Sequence, residues 1–145
     1  MDTVLHSFEQ RDSVLLSLDC GFNILDDLKL KYPDRVINTG IREQATVSMA
    51  AGMASEGMTV FVYSIASFLI FRALEQIRVD LVHTGLPVRL IGYGAGDVKF
   101  EKLGRAHCTS SEDIDICEAI NLPWFEPPDL DAWIECEGPS YLRLE

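Results

Sequence analysis

Short, almost continuously apolar runs alternate along the chain with longer stretches whose apolar residues recur at helical spacing. Runs at 14–18, 36–38, 59–63, 88–93 and 140–144 have strand length. They lack the polar alternation of a half-solvated sheet, so they predict strands covered on both faces. Between them, helical patterns are predicted over 3–10, 23–31, 42–56, 64–84 and 110–119. Asn23 is the expected N-cap of the second and Pro33 closes it, while Gly57 ends the third at C′. The fourth carries Ile70, Leu74, Ile77 and Leu81 on one stripe and stops at Gly85-Leu86-Pro87. Ser110 is the expected cap of the last, with Asp113 in its first turn.

Strands alternating with helices predict an α/β fold: a three-layer, doubly wound, mostly parallel sheet with helices on both faces. Ligands of such sheets bind beyond the carboxyl ends of the strands. The segments that follow strands here are Asp19-Cys20-Gly21, the turn before Glu43, the region of Phe68, and the loop 94–108.

Composition narrows the picture. At 145 residues the chain fits one domain, 1–145. The apolar runs fall well short of the ~20 residues needed to cross a bilayer, and the start Met1-Asp2-Thr3-Val4 lacks a secretory pattern. A cytoplasmic protein without a membrane partner is expected. Net charge is −11, with 23 acidic against 12 basic residues, which disfavours nucleic acid. Cys20, Cys108, Cys117 and Cys136 form no C-x-x-C pair and no metal-ligand spacing with His6, His83 or His107, so free thiols and no metal site are expected.

The candidate chemistry centres on Asn38-Thr39-Gly40-Ile41-Arg42-Glu43-Gln44, followed by Ala50-Ala51-Gly52-Met53-Ala54. A carboxylate in a first helical turn is favoured by the macrodipole alone, so position by itself does not make Glu43 functional. Its company does more. Further along stand Ser67-Phe68-Leu69-Ile70-Phe71-Arg72-Ala73-Leu74-Glu75-Gln76-Ile77-Arg78, then Leu86-Pro87-Val88, Gly94-Ala95-Gly96, Leu103-Gly104-Arg105-Ala106-His107 and Glu112-Asp113-Ile114. In order and spacing, from about 15 to 144, these elements resemble the pyrimidine-binding domain of transketolase-like thiamin diphosphate enzymes.

The resemblance implies that Glu43 matches the glutamate that shares a proton with N1′ of the cofactor's aminopyrimidine, which lets the 4′-amino group accept the thiazolium proton. Partial burial, which raises a carboxyl pKa, would serve that role. Phe68 and Phe71 are the two candidates for the ring against the pyrimidine, although aromatics at i and i+3 more often pack a core. His107 matches a histidine that contacts the substrate. The family holds diphosphate and Mg²⁺ through a Gly-Asp-Gly motif on a separate domain, and this chain has no such motif.

The resemblance therefore implies one component of a split α2β2 enzyme, with diphosphate and Mg²⁺ ligands on a Gly-Asp-Gly partner subunit. Its substrate would be a sugar or keto acid, and a two-carbon ketol or acyl unit would pass to an aldehyde. Two other readings stand beside it: a component of a thiamin-dependent 2-oxoacid decarboxylase or dehydrogenase, and a noncatalytic remnant that stabilises a partner. Three departures bear on the match. Leu103 stands where many members have an acidic residue, the stretch from His107 to Glu112 is one residue longer than the usual pattern, and 123–138 is too short for the helix of several turns with which the family continues, so a trimmed C-terminal part is expected.

Overall fold

In the computed structural model, which describes residues 6, 8, 9, 12–96 and 107–145, each of the five apolar runs forms a strand. They are β1 (Ser13–Ser17), β2 (Val36–Asn38), β3 (Thr59–Ile65), β4 (Val88–Tyr93) and β6 (Ser140–Leu144), with a two-residue strand β5 (Trp124–Phe125) at one edge. The sheet order is β2-β1-β3-β4-β6-β5. Every pairing is parallel.

Side chains alternate across the strands, so each strand feeds two cores. Leu16, Val62 and Leu90 point into one, beneath Val47, Ala50 and Ile77. Their neighbours Leu15, Phe61 and Ile91 point into the other, against Leu28, Trp133 and Leu142. This is the expected three-layer arrangement. Helix α1 (Asp26–Lys31) covers the second face together with α5 (Leu130–Glu135), and α2 (Glu43–Ser55) covers the first. The remaining first-face elements are a π-helical turn π1 (Phe68–Arg72), a short α3 (Leu74–Gln76), a second π-helical turn π2 (Ile77–Val82), and α4 (Glu112–Ala119). No helix among the described residues is long and apolar enough to cross a membrane.

Several local expectations need correction. Asn23 is not a cap: its φ is 62°, α1 begins at Asp26, and the Asn23 N–H donates to Asp26 Oδ2 at 2.9 Å. The short polar side chain tolerates the left-handed turn, and the carboxylate three residues on takes the orphan donor. Ser110 likewise has φ 50°, and α4 starts two residues later without a side-chain cap. Gly57, at φ 89°, does close α2.

The predicted helix 64–84 is not continuous. Strand β3 persists to Ile65, and the π-turns break the α-helical register. Burial explains the widening. Leu69, Ala73, Ile77 and Leu81 are all inaccessible and recur every fourth residue, whereas Leu74 is only half-buried. An α-helix would carry such a stripe about 40° off the core with each step of four, and wider turns hold it there.

In the C-terminal part, 123–138 holds β5 and the six-residue α5, about 1.7 turns, which is shorter than a helix of several turns. Trp133 and Ile134 bury that short helix against the second core, so packing compensates for its length. His6, Phe8 and Glu9 fall within the predicted first helix and Phe8 is buried, while the rest of 3–10 lies outside the described residues.

The chain runs from β1 to β2 on one side and returns to pair β3 on the other, so β1 and β3 flank a topological switch point. A crevice opens beyond their carboxyl ends in sheets of this type.

Candidate active site

The start of α2 is fixed from beneath by the ends of β1 and β2. Asn38 Oδ1 accepts the Asp19 N–H at 3.1 Å and the Gly40 N–H at 2.9 Å. The Thr39 N–H donates to the Ser17 carbonyl at 2.9 Å, and the Thr46 hydroxyl donates to that of Thr39 at 2.8 Å. Gly40 turns the chain into the helix at φ 74°, a conformation most side chains resist. These contacts set Glu43 as the first residue of α2, only 6% exposed.

Arg42, the N-cap residue, makes no side-chain cap. The Glu43 carboxylate instead receives Arg72 Nη1 at 2.7 Å from the end of π1. Arg72 Cζ also lies 3.6 Å from the Phe68 ring centroid, so the guanidinium rests on that ring while bonding the carboxylate. The Phe68 and His107 rings are 4.9 Å apart and tilted by 54°. Glu43, Arg72, Phe68 and His107 thus form one contiguous series across α2, π1 and the turn at 107.

Three of the four candidate residues, Glu43, Phe68 and His107, are therefore brought together. Phe71 is not: it is 39% exposed and makes no ring contact among the described residues. The residue that sequence reasoning missed is Arg72. Its signal was a cation four positions after Phe68, which within one helical segment reads as an ordinary solvated charge. Leu103 and Gly104 lie outside the described residues.

Nearby, Cys20 donates weakly to the Tyr63 carbonyl at 3.5 Å, and burial pushes its thiol up to about 11. A thiol held protonated is a poor nucleophile. Among the described residues, no group of three or more His, Cys, Asp or Glu side chains is placed to hold a metal ion.

A buried carboxylate beside an aromatic ring can share a proton with, and stack, a planar nitrogen heterocycle. Comparison with known proteins identifies the family. Residues 5–122 match the family model described as "Transketolase, pyrimidine binding domain". The chain is similar to an apulose-4-phosphate transketolase subunit of Actinobacillus succinogenes, 35% identical over 79% of this chain and 39% of the relative. A second apulose-4-phosphate transketolase subunit, from Phocaeicola vulgatus, is 36% identical over 99% of this chain and 44% of its own length. A solved chain described as a split gene transketolase, inactive beta4 tetramer, superposes with a TM-score of 0.80 at 27% identity, covering 98% of this chain and 48% of that one. The chain thus spans less than half the length of these relatives. It belongs to the family of transketolase pyrimidine-binding domains.

Proposed function

We propose that this chain supplies the pyrimidine-binding side of a two-component thiamin diphosphate-dependent enzyme, which transfers a two-carbon ketol or acyl unit from a sugar or keto acid to an aldehyde. The observation that carries this reading is the placement of the Glu43 carboxylate, buried at the head of α2, next to the half-buried Phe68 ring, with one planar cation touching both. An aminopyrimidine needs that pair of features: a carboxylate able to share a proton with a ring nitrogen, and a flat apolar platform.

Bound there, thiamin diphosphate supplies the carbon nucleophile that a protein side chain cannot. The chain's own residues do the rest. Glu43 holds the proton shared with N1′, Phe68 serves as the stacking ring in preference to Phe71, and His107, against Phe68, contacts the substrate. The residues fit the pyrimidine half of the cofactor alone. Diphosphate with Mg²⁺ requires several hard oxygen ligands, which this reading assigns to a Gly-Asp-Gly partner subunit in an α2β2 assembly, with residues 1–145 acting as a single domain.

The relatives are named as subunits of a transketolase and the solved one is an inactive β4 assembly, which supports a component that is silent without its partner. Co-expression with a Gly-Asp-Gly subunit tests this. The assembled pair is expected to bind thiamin diphosphate and turn over a ketose donor in preference to pyruvate. A stable pair that binds no cofactor would leave a noncatalytic partner role and end the enzyme reading.

A further inference from the structure

The Arg72 guanidinium occupies both features just assigned to the cofactor. It bonds Glu43 Oε1 at 2.7 Å and lies 3.6 Å from the centre of the Phe68 ring. Like a protonated aminopyrimidine it is planar, delocalised, cationic and a donor from its edge. Resting on that assignment of Glu43 and Phe68, we propose that Arg72 is an internal stand-in for the aminopyrimidine, held in its seat in the cofactor-free chain and displaced when the cofactor enters.

Two other arginines show what a buried structural arginine looks like in this fold. Arg89 donates to the carbonyls of Ile134, Cys136 and Gly138 and to the Ser140 hydroxyl. Arg143 is divided among Asp113, Glu126 and the Ser110 carbonyl. Both are buried. Arg72 is 43% exposed, and its side chain makes one hydrogen bond among the described residues, to Glu43. Among the described residues it is held by that one hydrogen bond and the Phe68 ring face, and its exposure leaves it solvent to move into.

The exchange has a chemical requirement. Glu43 is too buried to lose a cationic donor without a replacement, because an unpaired buried carboxylate is costly. A planar ring that donates or carries a proton at its edge supplies one, and a neutral apolar ring does not. Arg72 therefore sets what displaces it, as a positioning residue that keeps the carboxylate charge-balanced and the ring covered until a pyrimidine arrives. The fraction of molecules with Arg72 in place lowers the apparent affinity in proportion.

The test is a titration of the folded chain with 4-amino-5-hydroxymethyl-2-methylpyrimidine, the pyrimidine half of thiamin. Wild type, R72M, R72K and E43Q are compared, with NMR following the Glu43 carboxyl carbon and the Arg72 guanidinium. R72M is expected to bind about tenfold tighter than wild type, as removal of a competing internal occupant requires. R72K, charged but not planar, should fall between them, E43Q should lose binding, and the wild-type Arg72 signal should move to that of a solvated guanidinium at saturation.

Equal affinity in wild type and R72M, with E43Q still deficient, overturns the stand-in and leaves the role of Glu43 intact. Binding that E43Q does not weaken, or none to a folded R72M, overturns both. Should R72M not fold, a wild-type Arg72 signal unmoved at saturation overturns the stand-in by itself.

Discussion

The Tyr141 hydroxyl donates to Asp113 Oδ2 at 2.8 Å, tying the first turn of α4 to the start of β6 in a place from which water is excluded. Arg143 Nε reaches the same oxygen at 3.1 Å, and its other nitrogens hold Glu126 at 2.7 Å and the Ser110 carbonyl at 2.6 Å. A buried carboxylate with these partners is stable only while they remain. R143M should therefore cost about 3–5 kcal/mol, the range for stranding a buried charge. Y141F, which removes one donor, should cost about 1–3 kcal/mol. Urea unfolding of both variants at an unchanged m-value checks the difference.

The same cluster makes the fold sensitive to alkali. Burial, reinforced by the Asp113 charge, pushes the Cys117 thiol from 9.0 up to about 12, and burial first, then Asp113, raises the Tyr141 phenol well above its usual value. Above pH 9 the unfolded chain releases protons that the folded chain keeps, so stability is full below that pH and declines as pH rises toward 12. Each such group contributes a slope of about 1.4 kcal/mol per pH unit while the two states differ by a whole proton. C117A should flatten the decline that wild type shows between pH 9 and 11 in stability measured by denaturant.

Gly92 in β4 lies against Tyr141 of β6 and the backbone of Ala66, just beyond β3. A Cβ there would meet the Tyr141 hydroxyl at 2.5 Å and the Ala66 Cα at 3.0 Å, and one of these is backbone. G92A should destabilise by about 1–3 kcal/mol through overpacking, visible as a lowered Tm without loss of the helical and strand signal in far-UV circular dichroism.

Much of this was legible in the chain itself. Strands covered on both faces must be apolar throughout, which is why all five longer strands could be read, and the helix after Glu43 carried its own start and Gly57 stop. β5 and α5 were not legible, since two residues of strand and six of helix have no periodicity of their own and stand on Trp133 and Ile134 packing elsewhere. The π-turns escaped because a stripe at spacing four looks like an ordinary helix face until its depth of burial is seen. At the candidate site, the resemblance in motif order singled out Glu43, Phe68 and His107, which the fold brings together. Arg72 was not singled out, because its meaning lies in touching two residues from different elements. The proposed choice between Phe68 and Phe71 rests on their different surroundings, which spacing in the sequence does not carry.

That choice is testable. Phe68 is half-buried and contacts both Arg72 and His107, while Phe71 faces solvent. In the assembled enzyme F68A should weaken thiamin diphosphate binding about tenfold, as loss of an aromatic stack and its buried area requires, and F71A should change it by less than about half that. Fluorescence titration of cofactor into each variant separates them, and a larger effect from F71A would transfer the stacking role.

The central claim is that the Glu43 carboxylate exchanges a proton with the cofactor. The measurement that bears on it most directly is turnover of E43Q assembled with its partner subunit, set alongside the Tm of the same variant. Glutamine preserves the shape and a hydrogen-bonding edge but cannot take up or release a proton at neutral pH, so the fold should persist while turnover falls by about 10²–10⁴, the usual contribution of positioned acid–base catalysis. Turnover equal to wild type would contradict that claim.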